Sequence, residues 1–265
     1  VANNKTNPNA LATCIPLGQS GNAYGTAFGA KTALYADNAL NTVALTRTSM
    51  GGDYVFDVSK DGGIVFTLNN GPLYSDPGNS GGRYPQGVIF PNPAFPAIPD
   101  SAFIAYYGPA YGTTNWQGHV YGSGRIGAPV NATQTLDTFV AFGGTNPNGA
   151  APDNMIITQQ GVIWNIGIGY NQTTSLYTDT LILSKGTWNN IIRDFNYTHI
   201  EIPFPVTDNY IAVTGVAFAP NGLTGYVAAL CHDDFAFQPD SSYYPVVIKT
   251  IDCGLTWGPK TRIKL

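Results

Sequence analysis

Charged residues are scarce in this chain of 265 amino acids, and glutamate is almost missing. Lysine and arginine together number 12 and aspartate and glutamate 16, so 11% of the residues are charged and the formal net charge is −4. Glu201 is the only glutamate. A chain with so few cations offers no basic surface that would attract nucleic acid or an anionic membrane. We therefore expect neither of these partners.

Long apolar runs are also missing, and cysteine is rare. No uninterrupted apolar run approaches the roughly 20 residues of a membrane helix. The three cysteines are Cys14, Cys231 and Cys253. If 225–231 and 245–251 are antiparallel neighbours, Cys231 and Cys253 lie about 17–20 Å apart, too far for a disulfide. We predict that these two are not bonded; the sequence leaves the disulfide status of Cys14 open.

Residues that favour turns and strands are abundant, with 31 Gly, 19 Pro, 16 Tyr and 13 Phe. Apolar and β-branched runs alternate with clusters of Gly, Pro, Asn and Asp along the whole chain. Long helices are not indicated. The predicted strands are 41–47, 53–59, 63–68, 102–107, 137–142, 162–170, 180–184, 209–218, 225–231 and 245–251. The sequence predicts an all-β fold in a single domain, residues 1–265.

One eight-residue pattern occurs twice, as "SKDGGIVF" at 59–66 and "TIDCGLTW" at 250–257. Both copies read Ser or Thr, any residue, Asp, any residue, Gly, two of any residue, then an aromatic. The defining residues are Ser59, Asp61, Gly63 and Phe66 in the first copy and Thr250, Asp252, Gly254 and Trp257 in the second. A third segment, "LSKGTWNN" at 183–190, has lost the aspartate and is predicted to form a degenerate turn of the same kind.

The role of Asp252 has three alternatives: a catalytic acid, a metal ligand or part of a turn. A short aspartate side chain can accept hydrogen bonds from turn amides, and glycine can adopt the positive φ that such turns use. An aspartate held by turn amides is a poor proton donor. We therefore interpret Asp61 and Asp252 as structural, with the terminal aromatic of each copy buried between neighbouring sheets.

The repeated pattern resembles the Asp-box, or BNR repeat, of sialidase-like β-propellers, where it forms the hairpin between the third and fourth strands of a blade. The resemblance implies a β-propeller of four-stranded antiparallel blades. The 191 residues from Asp61 to Asp252 correspond to about four blades at roughly 40–50 residues each. By the same measure the chain holds about five blades, as a complete propeller or as part of a larger one.

A broader resemblance rests on segments such as 53–66, 83–93, 106–123 and 221–230. These look like the propeller segments of large secreted or cell-surface bacterial proteins exported by the type IX system. The resemblance implies an extracellular or outer cell-surface location and carries no information about chemistry.

Catalytic motifs of sialidases are not found in the sequence. Those enzymes use three arginines, a Tyr-Glu pair, an aspartic acid and an Arg-Ile-Pro motif, whereas "GRIGAP" at 124–129 is the nearest match here. The five arginines are Arg47, Arg83, Arg125, Arg193 and Arg262, scattered singly. In "CHDD" at 231–234 at most two neighbouring side chains share a face of an extended segment, which favours a loop over a metal site. We expect no cofactor or metal.

The sequence favours a non-catalytic structural or binding module with a protein or glycan partner. The alternative is a glycoside hydrolase whose active residues lie outside recognisable motifs or outside this segment. Arginines and a carboxylate cluster in the central depression would favour the enzyme, and a neutral or aromatic surface the module. Most aromatic residues are expected to pack between blades. Trp188 and Trp257, placed in box-like turns, are the least expected to contact a ligand.

Overall fold

The described part of the chain forms four antiparallel sheets of four strands each in a computed structural model. The structure describes residues 14–21, 25–26, 32–75, 82–111, 116–137, 152–171, 176–203, 211–231 and 244–263. The first sheet contains β1 (Leu34–Asp37), β2 (Thr42–Thr48), β3 (Tyr54–Ser59) and β4 (Thr67–Tyr74). The second contains β5 (Gln86–Phe90), β6 (Phe103–Tyr111), β7 (Trp116–Arg125) and β8 (Thr135–Asp137). The third contains β9 (Pro152–Ile157), β10 (Ile163–Asn171), β11 (Leu176–Asn189) and β12 (Asp194–Pro203). The fourth contains β13 (Ile211–Phe218), β14 (Gly225–Cys231), β15 (Tyr244–Thr250) and β16 (Thr261–Arg262).

Each sheet is a simple meander, because every strand pairs with the next one in sequence. The first strands of successive sheets contact one another in the order β1, β5, β9, β13. Three apolar cores fill the spaces between the four sheets. This succession of blades is the β-propeller architecture that the sequence predicts, and that prediction is confirmed.

Every residue of β3 and of β5 is buried. Neighbouring sheets cover both faces of β5, whereas β3 packs against the second sheet on one face and has residues 14–21 over Asp57 on the other. Two short 3-10 turns, Pro99–Ser101 and Pro129–Asn131, are the helical segments of the described residues. No helix in this part of the chain is long and apolar enough to cross a membrane.

The described residues form four sheets, against an estimate of about five blades for the whole chain. The first strands of the four sheets begin at residues 34, 86, 152 and 211. The spacing between them is therefore more than 50 residues, and the assumed period of roughly 40–50 residues was too short.

Two local predictions are wrong. Residues 61–65 form a turn, and β4 begins only at Thr67, so 63–68 is not a strand. The predicted box-like turn at 183–190 is also wrong, because β11 continues to Asn189 and the chain reverses at 190–193. With no aspartate to bind turn amides, this segment pairs with β10 on one side and β12 on the other. Of the predicted strand 137–142, Asp137 ends β8, and 138–142 lies outside the described residues.

The register of the fourth sheet separates the two C-terminal cysteines. Cys231 is opposite Tyr244 and Gly225 is opposite Thr250, so Cys253 lies beyond the far end of β15. This is the antiparallel pairing from which the sequence argument started. Cys253 is a free, half-buried cysteine, and Cys14 is free and exposed.

A buried ion pair fixes residues 14–21 on the first sheet. The guanidinium of Arg47 on β2 donates to both carboxylate oxygens of Asp57 on β3, each at 2.8 Å. The backbone N–H of Gly18 donates to the same carboxylate at 2.8 Å. Burial acts to raise the pKa of Asp57, but the hydrogen bonds from Arg47, Asn69 and Gly18 outweigh it and leave the pKa below its usual value.

Candidate functional site

The turn between β15 and β16 is organised around the Asp252 carboxylate. Asp252 Oδ1 accepts hydrogen bonds from the Thr250 hydroxyl at 2.7 Å and from the Thr256 backbone N–H at 2.9 Å. Its Oδ2 accepts from the Thr256 hydroxyl. These bonds, with that from the Thr256 hydroxyl the strongest, lower the pKa of Asp252 to about 2. A carboxylate bound in this way stays ionised and has no proton to donate near neutral pH.

The turn between β3 and β4 has the same arrangement. The Asp61 carboxylate accepts hydrogen bonds from the Ser59 hydroxyl and from the backbone N–H groups of Ile64 and Val65, the latter two at 3.0 Å. The Ser59 hydroxyl, followed by these amides, lowers the pKa of Asp61. Gly63 donates its N–H to the Ser59 oxygen at 2.8 Å, just as Gly254 does to the Thr250 oxygen at 2.9 Å.

The aromatic residues that end the two turns are in different environments. Trp257 packs edge-on against Trp164, with ring centroids 6.0 Å apart, at the core between the third and fourth sheets. Phe66 is half-buried and belongs to none of the three apolar cores. Gly63 and Gly254 both have a positive φ, 96° and 70°.

A cleft of about 750 Å³ opens where the innermost strands end, and we call it the inner-strand cleft. Successive strands are antiparallel, so this end of the propeller also carries the two aspartate turns. The first, second and third sheets all contribute to the cleft. It is lined by Tyr35, Asp37, Ala39, Ile89, Phe90, Pro91, Pro93, Ile157, Thr158, Gln159, Gln160, Gly161, Val162, Thr187 and Trp188.

The inner-strand cleft is largely neutral and contains aromatic rings. Tyr35, Phe90 and Trp188 supply the rings, and Gln159 and Gln160 supply amides, of which Gln160 Nε2 already donates to the Asn221 backbone oxygen at 2.9 Å. Among the described residues that line it, Asp37 is the one carboxylate, and there is no lysine or arginine. Burial, and to a lesser extent the Asp37 carboxylate, raise the pKa of Tyr35, so its hydroxyl stays protonated and can donate a hydrogen bond.

Trp188 is the residue that sequence reasoning placed wrongly. It was the aromatic least expected to contact a ligand, because it was assigned to a box-like turn. In the structure it lies on β11 and packs against Phe90 and Phe103, with ring centroids 4.7 and 4.8 Å away. One edge of this aromatic cluster forms the wall of the cleft. The failed match at the lost aspartate was the available signal that 183–190 is a strand.

A second polar arrangement joins the second and third sheets. The Ser184 hydroxyl lies 2.9 Å from Nδ1 of His199, and Nε2 of His199 lies 3.0 Å from Oδ2 of Asp137. The Tyr107 hydroxyl continues the chain, 3.0 Å from Ser184 and 2.9 Å from Nδ1 of His119. His119 lies on β7 and His199 on β12.

Ser184, His199 and Asp137 contact one another in series, as the residues of a nucleophilic triad do. Unlike the serine of a catalytic triad, however, Ser184 is not accessible to a substrate. Ser184 is only 1% exposed, so a substrate cannot reach its oxygen. Burial lowers the pKa of His199, and the neighbouring Asp137 carboxylate opposes that shift. We assign the network to packing between blades, where it satisfies polar groups that would otherwise be buried alone.

The other candidate residues do not converge on one centre. Arg47 is buried against Asp57, and the guanidinium of Arg262 lies over the Tyr244 ring at 3.2 Å. Glu201 is exposed on β12, and its pKa is raised by partial burial. No group of three His, Cys, Asp or Glu side chains able to hold a metal occurs among the described residues, and residues 232–234 of "CHDD" lie outside them.

Two solved structures of carbohydrate-active enzymes are similar in fold to this chain. A polysaccharide lyase of family PL25, an ulvan lyase bound to -[GlcA(1-4)Rha3S]-, is similar with a TM-score of 0.51 and 11% identity over 94% of this chain. The GH93 α-L-arabinofuranosidase of Fusarium graminearum, in complex with arabinobiose, is similar with a TM-score of 0.50 and 12% identity over 88% of this chain. The chain spans 58% and 66% of the lengths of these two proteins.

At such identities the similarity shows the fold alone. No protein-family model and no curated protein match the sequence. Any statement about activity therefore depends on the residues of this chain.

Proposed function

We propose that this protein is a non-catalytic β-propeller that binds a glycan in the inner-strand cleft. The observation that carries the proposal is the lining of that cleft, with three aromatic rings and two glutamine amides around about 750 Å³. Ligand sites typically combine apolar and aromatic walls with a few polar groups that fix orientation. Sugar rings present apolar faces for stacking and hydroxyls for hydrogen bonds, so they suit such a lining. Both similar structures hold a saccharide, which adds support.

The carboxylates at the end of the propeller that carries the inner-strand cleft favour glycan binding over glycan hydrolysis. Glycoside hydrolysis uses two carboxyl groups, about 5–5.5 Å apart for retention or about 6.5–9.5 Å apart for inversion. The described lining of the cleft offers Asp37 alone. Asp61 and Asp252, at the same end of the propeller, are bound to turn amides and hydroxyls.

The two aspartate turns, in this proposal, are Asp-boxes of the sialidase-like type and act as structural elements. Their hydrogen bonds and their positions between third and fourth strands support that interpretation. Placement outside the cell or on its outer surface, with export by the type IX system, is part of the same proposal and depends on the sequence resemblance. A neutral, aromatic cleft suits a module that attaches its parent protein to polysaccharide.

A glycan array, paired with a hydrolysis screen on fluorogenic sialosides and aryl glycosides, tests this function. We expect binding to a defined set of glycans and no turnover. Tyr35→Leu, which loses the aromatic face, should abolish array binding, and Tyr35→Phe, which keeps it, should not. Turnover that one Asp or Glu substitution abolishes would establish the alternative, a glycoside hydrolase. Binding to no glycan would overturn the proposal and leave a protein partner to be sought.

A further inference from the structure

A second cavity, of about 460 Å³, is lined in part by Trp188, and we call it the arginine cavity. Trp188 also lines the inner-strand cleft, so the two cavities share this residue. The polar side chains of the arginine cavity come from the end of β7, the turn after β11 and the segments beside them. They include two arginines, Arg125 and Arg193, and three asparagines, Asn92, Asn131 and Asn190.

Both arginines are exposed, and neither forms an ion pair with a carboxylate in the part of the chain that the structure describes. Arg125 Nε donates to the backbone oxygen of Asp100 at 3.0 Å, which orients the guanidinium of this exposed side chain. The Asp100 carboxylate is itself paired with Lys60 at 2.7 Å. The acidic residue whose backbone Arg125 contacts is therefore already paired with another cation.

The backbone of Arg193 is fixed at the edge of the cavity. Its N–H donates to the Asn189 oxygen at 2.9 Å, and its carbonyl accepts from the Ser123 hydroxyl at 3.1 Å. It has a positive φ of 54°, which few residues other than glycine adopt. These contacts define where the Arg193 side chain begins, on the turn that closes this side of the cavity.

Asp194 follows Arg193 in the chain, and its side chain does not line the cavity. Asp194 is 5% exposed and accepts the Phe195 N–H at 2.8 Å. Burial raises its pKa, although the hydroxyls of Thr133 and Ser123 act in the opposite direction. The described lining of the cavity thus combines two cations and three amides with no acid.

We infer that the arginine cavity binds an anionic group, a uronate carboxylate or a sulfate ester, carried by the glycan of the inner-strand cleft. Arginine donates paired hydrogen bonds to planar carboxylates and to sulfate oxygens, and the asparagine amides can donate to the same group. Because Trp188 lines both cavities, one oligosaccharide can stack in the cleft and place its anionic substituent in the arginine cavity. This inference rests on the proposed function and specifies its ligand as an acidic saccharide.

The test is an array that contains neutral, uronate-bearing and sulfated oligosaccharides, followed by titration of the strongest acidic hit and of its neutralised form. A uronate hit is neutralised by methyl esterification and a sulfated hit by desulfation, which separates the two sources of charge. We expect acidic saccharides to dominate the hits and neutralisation to weaken binding about tenfold or more. Arg125→Gln and Arg193→Gln should each give a similar loss and should reduce the salt dependence of binding.

Lys249→Gln is the matched control, because Lys249 is an exposed cation on β15 that contacts Tyr226 and lines neither cavity. It removes the same charge and should leave affinity unchanged. Neutral hits only, or arginine variants that bind like the wild type, would overturn this inference while the cleft function stands. Equal losses in all three variants would show a non-specific charge effect and would overturn it as well. If no saccharide binds at all, the proposed function fails, and this inference fails with it.

Discussion

At the scale of single residues, the most informative feature is how each aspartate is used. Asp57 forms a buried ion pair, Asp61 and Asp252 hold turns, and Asp137 accepts from a histidine between two sheets. Asp37 is the one carboxylate on the described wall of the inner-strand cleft. The aspartates of this chain thus have different environments, and residue counts alone do not distinguish them.

The Asp252 turn leads to a prediction about acid stability. The pKa of Asp252 is lowered to about 2 in the folded protein, from an ordinary value near 3.8. Its stabilising contribution is therefore fully present above about pH 4 and is lost as the pH falls towards about 2. Asp252→Asn should remove this part of the pH dependence of the unfolding free energy, measured by denaturant titration, and should leave glycan binding unchanged.

The Thr256→Val variant is the control for the cause of this shift. It removes the hydroxyl that contributes most to the lowered pKa and keeps the backbone N–H bond. It should reduce the acid dependence without abolishing it. An Asp252→Asn protein with the wild-type acid profile and no glycan binding would show that Asp252 belongs to a binding site instead.

Sequence reasoning at this scale succeeds where contacts are local and fails where they are not. Trp164 was placed correctly in the predicted strand 162–170, since strand runs are visible in a short window. Trp188 could not be placed on the cleft, because the cleft wall needs contributions from three sheets. The pairing of Ser184 with His199, and of His199 with Asp137, likewise depends on register and on packing between blades.

At the scale of elements, the hairpin between β15 and β16 shows why glycine is needed in its turn. Gly254 has a φ of 70°, and a Cβ at this position would lie 2.3 Å from the Trp164 ring. Gly254→Ala should therefore strain the backbone and disturb the core between the third and fourth sheets. We expect a loss of about 1–3 kcal/mol in the free energy of unfolding.

Gly215→Ala is the matched comparison for that prediction. Gly215 lies within β13, where an added Cβ would meet nothing within 4 Å. It should change stability by less than about 0.5 kcal/mol, as surface substitutions usually do. Thermal unfolding of both variants decides the point, and equal losses would show that the close approach to Trp164 is not the cause.

The ends of strands were predicted well where turn-forming residues flank them and poorly where they do not. The predicted strand 225–231 coincides with β14, because Gly and Asn-rich turns bound it on the N-terminal side. The strand 63–68 was wrong, since an apolar "IVF" run is equally compatible with a turn whose amides bind Asp61. This turn leaves the apolar side chains of Ile64 and Val65 exposed. A short apolar run in a turn cannot be distinguished from a strand by its hydrophobicity alone.

At the scale of the whole molecule, the propeller architecture was predictable, whereas the described residues form four sheets against an estimate of about five for the whole chain. Fold class follows from many short strands and turns, a property summed over the chain. The number of sheets depends on connection lengths, which carry no hydrophobic pattern. The cleft depends on how three sheets are placed around the axis, and no single segment specifies it.

The network between the second and third sheets predicts a second pH effect, near neutrality. Burial lowers the pKa of His199 below its ordinary value of 6.5. The unfolded chain therefore takes up a proton first, and stability should fall as the pH drops below about 6.5, until the folded histidine is also protonated. His199→Gln should remove this dependence from denaturant titrations over that range.

Asp137→Asn tests the same network in the opposite direction. The Asp137 carboxylate raises the pKa of His199 against the effect of burial, so its loss should lower that pKa further. The acid-dependent loss of stability should then extend to lower pH than in the wild type. An unchanged profile in both variants would mean that His199 does not titrate as this network requires.

The inner-strand cleft, in our proposal, binds a glycan without cleaving it. Calorimetric titration of the purified protein with its strongest array ligand, followed by mass spectrometry of the recovered ligand, tests it most directly. We predict saturable binding with one site per chain, a loss of about tenfold or more in Tyr35→Leu but not in Tyr35→Phe, and a ligand recovered intact. A recovered ligand that is cleaved, or an affinity that Tyr35→Leu leaves unchanged, would contradict this account.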